Sequence, residues 1–92
     1  MDDEIPDDVT LPIEDAIDLH AFAPRDVTDV VASYLEAARE SGFREVRIIH
    51  GRGIGAQREA VRALLSRHPR VVSFADAPPD RGGWGATIVF LK

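Results

Sequence analysis

Val27, Val30, Val31, Tyr34, Leu35 and Ala38 are apolar and separated by steps of three and four residues. That spacing gathers all six on one stripe of an α-helix and scatters them over both faces of a strand. Pro24 lies ahead of the stripe, where a missing N–H is harmless in a first helical turn, and Gly42 follows it at a C′ position. Short β-branched segments flank the helix. Ile17 and Leu19 alternate with Asp18 and His20 and predict a first strand ending near His20; Val46, Arg47, Ile48 and Ile49 predict a second, ending at His50. A helix between two short strands has to bury its stripe on the sheet they make. The chain is therefore committed to a parallel β-α-β unit with a right-handed crossover.

The pattern then recurs. A second helix carries Ala60, Val61, Leu64 and Leu65 on its apolar side, with Arg58 and Arg62 one turn apart, and stops before Pro69. Val71 to Ala75 reads as a third strand. Residues 76–83, with two prolines and two glycines, read as a loop, and Ala86 to Leu91 as a buried final strand. The expected fold is α/β: a two-layer βαβαββ sandwich, a mixed four-stranded sheet with two helices on one face. Residues 1–14 read as an acidic flexible N-terminal arm that solubilises the chain, and residues 15–92 as the domain.

Composition narrows the function. With 92 residues the chain suits one domain, and the absence of cysteine removes disulfides, thiolate metal sites and thiol nucleophiles. No apolar run is long enough to span a bilayer, and the acidic start lacks the features of a signal peptide, so a soluble cytoplasmic protein without a membrane partner is expected. The net charge of −5 conceals a division. Residues 1–17 hold seven acids and no base, whereas residues 44–70 hold seven arginines against two acids. Arginine forks suit bidentate phosphate contacts. The alternative is that these arginines only solvate the surface.

Topology places the chemistry. Parallel first and second strands bring His20 and His50 to one sheet edge, with Asp18 two residues before His20. The segment Gly51-Arg52-Gly53-Ile54-Gly55 and the start of the second helix open onto that same edge, where ligands of open α/β sheets bind. Its glycines allow successive N–H groups to face one anion; the helix dipole and Arg52 add positive charge. A phosphate fits such a cradle, although a plain strand-to-helix turn gives the same composition. The segment lacks the Gly-Lys-Ser/Thr of a Walker A loop and the spacing of a dinucleotide fingerprint.

Three motifs in this order resemble the Smr (small MutS-related) domain family. Ile17-Asp18-Leu19-His20 is similar to its Leu-Asp-Leu-His, Ile49-His50-Gly51-Arg52-Gly53 to its His-Gly-x-Gly, and Gly82 to Val89 to its closing Gly-x-Gly-x-Thr strand. The resemblance covers residues 15–92. It implies a βαβαββ fold and nucleic-acid binding, often with endonuclease activity; some members nick DNA and others cut mRNA during ribosome rescue. It places Asp18 and His20 on the catalytic motif and His50, Gly51, Arg52 and Gly53 on the substrate-contacting loop. One departure is Ala21, where the family usually has glycine straight after the first histidine.

The residue inventory favours metal-independent cleavage of RNA, with nicking of structured or single-stranded nucleic acid as the other nuclease reading. The 2′-OH supplies the nucleophile, and the site needs only a base, an acid and a cation near the phosphate. Here Asp18 orients His20 as base, His50 serves as acid or phosphate donor, and Arg52 stabilises charge. DNA hydrolysis commonly uses metal ions on several carboxylates, of which this edge offers Asp18, with Asp76 and Asp80 as loop candidates. No cofactor is implied; Asp18, His20 and His50 are chemically adequate for a divalent metal, but such sets are commonplace in polar clefts. Gly55, Arg58, Arg62 and Trp84 complete the expected substrate-binding set, with Trp84 stacking on an unpaired base or else covering the core rim. Alternatively, Asp18 and His20 form a structural pair and the domain is a non-catalytic module docking on RNA, DNA or a nucleoprotein such as the ribosome.

Overall fold

Two βα units and a closing hairpin-like pair make up the chain: β1 (Ala16–Asp18), α1 (Val27–Glu40), β2 (Glu45–Ile49), α2 (Ala56–Leu65), β3 (Val71–Asp76) and β4 (Ala86–Leu91). The computed structural model describes residues 13–52 and 55–92. Most of the expected acidic arm, residues 1–12, and Gly53 of the expected loop lie outside the described residues.

The sheet order is β1-β2-β4-β3. β1 pairs parallel with β2, matching Ile17 to Ile48, and β4 runs antiparallel to both β2 and β3. The three strands that begin or end a crossover thus share one direction, and the last strand wedges between two of them. The fold is the mixed α/β sandwich read from the sequence. Val27, Val31 and Leu35 of α1 and Val61 and Leu65 of α2 pack with Val46, Ile48 and Val89 of the sheet, all at most 1% exposed. Each such side chain contributes about 1.5–3 kcal/mol by leaving water. On the opposite face Ala77 packs with Ala86 and Ile88 in a smaller cluster.

Local chemistry sets the boundaries. α1 ends where Gly42 turns left-handed at φ +97°, with Phe43 N–H donating to Ala38 O and Gly42 N–H to Arg39 O, both at 3.0 Å. This is the Schellman pattern, which closes the last helical turn. Pro24 starts a separate 3₁₀ turn, Pro24–Asp26, that leads into α1. At the other end, Tyr34 Oη donates to Glu14 O at 2.6 Å and ties the approach to β1 onto the helix.

One expectation fails: β1 stops at Asp18 and does not reach His20. Leu19–Ala21 form a 3₁₀ turn because the Asp18 carboxylate accepts the His20 backbone N–H at 2.9 Å, and this local bond wins over strand extension.

Candidate active site

The turn that shortens β1 also aims its histidine. Asp18 Oδ1 accepts from His20 Nδ1 at 2.6 Å, so one carboxylate oxygen holds both the backbone and the ring of His20. In the neutral ring this contact holds the proton on Nδ1 and makes Nε2 the acceptor nitrogen. The His20 backbone N–H, followed by its imidazole, holds the Asp18 carboxyl below its ordinary 3.8. Both side chains are exposed, at 65% for His20 and 59% for Asp18.

Nε2 lies directly against Gly51. That glycine has φ +83°, and a methyl group there would come within 2.9 Å of His20 Nε2. The close approach places the ring at the mouth of a cleft of about 360 Å³ lined by His20, Pro24, His50, Gly51, Gly55, Ala56, Gln57 and Arg58. Gly55, left-handed at φ +86°, brings the backbone into α2, and no side chain caps that helix. The cleft therefore meets the positive end of the α2 dipole.

His50 has a different position from the one expected. It is 5% exposed, with Nδ1 at 3.0 Å from Gly51 O and Nε2 at 2.9 Å from Thr87 Oγ1. A carbonyl can only accept, so Nδ1 carries the proton and Nε2 accepts from the Thr87 hydroxyl. Burial pushes the imidazole below its ordinary 6.5 and keeps it neutral. With both nitrogens engaged, His50 has no N–H for a phosphate and no proton to give. It holds the Gly51 loop in place instead. For the same reason Asp18, His20 and His50 do not converge as a ligand set, and among the described residues no three His, Asp or Glu side chains are grouped to hold a metal ion.

The arginines divide as well. Arg52 lies across the 82–85 turn: its guanidinium is 3.4 Å from Gly82 O, and a Cβ at Gly83 or Gly85 would meet its side chain at 2.6 or 2.9 Å. The absence of side chains at these two glycines is what lets Arg52 lie there. It does not reach into the cleft as the loop sequence suggests. Arg58 and Arg62 both donate to Asp76 Oδ1, at 2.6 and 3.1 Å, and stack over Trp84 and Phe74 at 5.2 and 4.9 Å from the ring centres. Arg58 hydrogen bonding in turn holds the Asp76 carboxyl below its ordinary 3.8. The structure thus brings His20, His50, Gly51, Gly55 and Arg58 together at the cleft, with Asp18 bonded to His20, Trp84 beside Arg58 and Arg62 farther along α2.

Over residues 17–92 the sequence matches the Smr domain family. The chain belongs to that family. Curated relatives of this Smr domain include proteins named Endonuclease MutS2 from Thermus thermophilus, 45% identical over 76 residues, and from Helicobacter pylori, 41% identical over 75 residues. Those alignments cover 83% and 82% of this chain but 10% of each relative, so the chain spans about a tenth of their length. Among solved structures, the Smr domain of Thermus thermophilus MutS2 superposes with a TM-score of 0.81 at 43% identity, covering 86% of this chain and 99% of that one. YdaL, a stand-alone small MutS-related protein from Escherichia coli, gives 0.73 at 29% identity, covering 88% and 66%. Among the described residues of this Smr domain, no helix is long and apolar enough to cross a membrane.

The roles of two residues were not legible in the sequence. Thr87 donates to His50 Nε2 once the Gly51 carbonyl has set the tautomer; its signal is one hydroxyl inside the otherwise apolar run Ala86–Leu91. Asp76 draws Arg58 and Arg62 together, and its signal is an acid closing a strand beside two arginines one helical turn apart.

Proposed function

We propose that this Smr domain is a nucleic-acid-binding endonuclease domain that cleaves RNA without a metal ion. The observation that carries the reading is the exposed Asp18–His20 pair at 2.6 Å, whose free Nε2 faces the cleft over Gly51. In this reaction a phosphodiester lies at the cleft mouth, where the α2 N-terminus and Arg58 favour its charge. His20 Nε2 takes the proton of the 2′-OH. The resulting oxyanion attacks the adjacent phosphorus, the bond to the 5′-oxygen breaks, and that oxygen is protonated from solvent. Asp18 stabilises the imidazolium that forms. The products are a 2′,3′-cyclic phosphate and a 5′-hydroxyl. The similarity to proteins named Endonuclease MutS2 supports the nuclease class.

The test incubates the full chain with end-labelled RNA and DNA of one sequence, with and without chelator. Cyclic phosphate ends in chelator, uncut DNA, and loss of cleavage with retained binding in His20→Ala are the expected results. Cleavage by His20→Ala at the parent rate overturns the assignment, as does complete inhibition by chelator. Binding of RNA with no cleavage by the parent protein favours the non-catalytic docking module.

A further inference from the structure

We infer that Trp84 is a platform on which one unpaired nucleobase stacks, so that the His20 cleft takes single-stranded segments in preference to duplex. The inference rests on the nucleic-acid reading above and supplies its substrate class. Trp84 lies in a 3₁₀ turn between two glycines and is 43% exposed, although Gly85 and Ala86 next to it are buried. A ring whose task was to seal the core rim would have gone in with them. One face of the indole carries the Arg58 guanidinium at 5.2 Å, and that guanidinium is in turn held by Asp76 at 2.6 Å. A cation on one face orients the ring.

The turn is also fixed in place. Gly83 N–H donates to Pro78 O at 2.9 Å and Gly85 N–H to Gly82 O at 3.1 Å, with Gly82 and Gly83 both left-handed. Gly85 O then accepts the N–H groups of His50 and Gly51, at 3.1 and 2.8 Å. Gly51 is the residue against which His20 Nε2 rests. The platform and the base are therefore joined through one glycine loop, in turns that adjoin β4 and β1, two positions apart in the sheet order. That is roughly 10 Å by ordinary strand spacing. A nucleobase neighbouring the bound phosphate can reach the indole only if it has left its own stack, which a base inside a duplex has not.

Trp84 is the one tryptophan of the chain, so its fluorescence reports this position directly. The full chain is titrated with a 2′-O-methyl single strand, which cannot be cleaved, with the same strand in a duplex, and with an abasic strand of equal charge. The single strand is expected to quench the emission, and the duplex and abasic strand to leave it unchanged. Trp84→Ala is expected to weaken single-strand binding about 5- to 150-fold, the usual loss for one base stack, and to leave duplex binding unaltered. Trp84→Phe restores most of the difference. Equal quenching by the abasic strand, or single-strand affinity unchanged in Trp84→Ala, overturns the platform. If Trp84→Ala does not fold, quenching of the parent protein and the Trp84→Phe affinity still decide the matter. Undiminished binding by Trp84→Ala alongside lost cleavage in His20→Ala removes the platform and keeps the nuclease; no binding of any strand by the parent removes both.

Discussion

Gly51→Ala tests whether the approach of His20 to the glycine loop matters for chemistry. Two costs are separable. The first is backbone: an L side chain at φ +83° costs about 1–2 kcal/mol in the left-handed region. For a domain near 90 residues that lowers Tm by about 4–16 °C. The second is local, because the new methyl would stand 2.9 Å from His20 Nε2 and 3.2 Å from Cε1, closer than such atoms pack, so the imidazole must turn away. A positioned general base is worth about 10²–10⁴ in rate, and displacing it should cost at least about a hundredfold in kcat/KM. Gly42→Ala is the control. Its φ of +97° imposes a comparable backbone cost, but nothing lies within 4 Å of the added carbon. Both variants should melt early in a calorimetric scan, and only Gly51→Ala should lose cleavage when both are assayed well below their melting points. Equal activity in the two variants would refute the argument that Nε2 is the reacting atom.

Three further outcomes follow from the same contacts. Thr87→Val keeps the shape and removes the hydroxyl that donates to buried His50 Nε2, so urea denaturation should show a loss of about 1–3 kcal/mol. In the unfolded chain His50 protonates near its ordinary 6.5, whereas burial lowers the folded value; its contribution is whole above 6.5 and is lost as pH falls through the folded value. Denaturation midpoints measured across that window should decline with acidity, and less steeply in His50→Asn. Asp76→Asn frees Arg58 and Arg62 from their shared carboxylate, so nucleic-acid binding should tighten at low salt and the log–log salt slope on a single strand should steepen by up to about 1.4, at ~0.7 for each freed arginine.

The elements were legible because their periodicities are clean. The stripe from Val27 to Ala38 lies within α1, and Ala86 to Leu91 is β4 to the residue. The end of β1 was not, because alternation continues through His20 while a single hydrogen bond from Asp18 bends the backbone. At the site, strand order brought His20 and the His50-Gly51 segment to one edge, as parallel pairing requires. What spacing could not convey was side-chain direction. His50 turns inward to Thr87, a partner 37 positions later in the chain, and Arg52 lies over glycines whose missing side chains make room for it. Arg58 and Arg62 read as free phosphate ligands until β3 sets Asp76 between them.

The place of β4 has a bearing on biosynthesis. It is the last strand of this sheet to be synthesised, yet it sits between β2 and β3 and provides both Thr87 for His50 and the path from Gly85 to Gly51. Until that stretch emerges, β3 has no neighbour to pair with and the glycine loop has no brace. A nascent chain therefore carries every side chain of the Asp18–His20 pair without the scaffold beside it, and the cleft is completed only when β4 is in place.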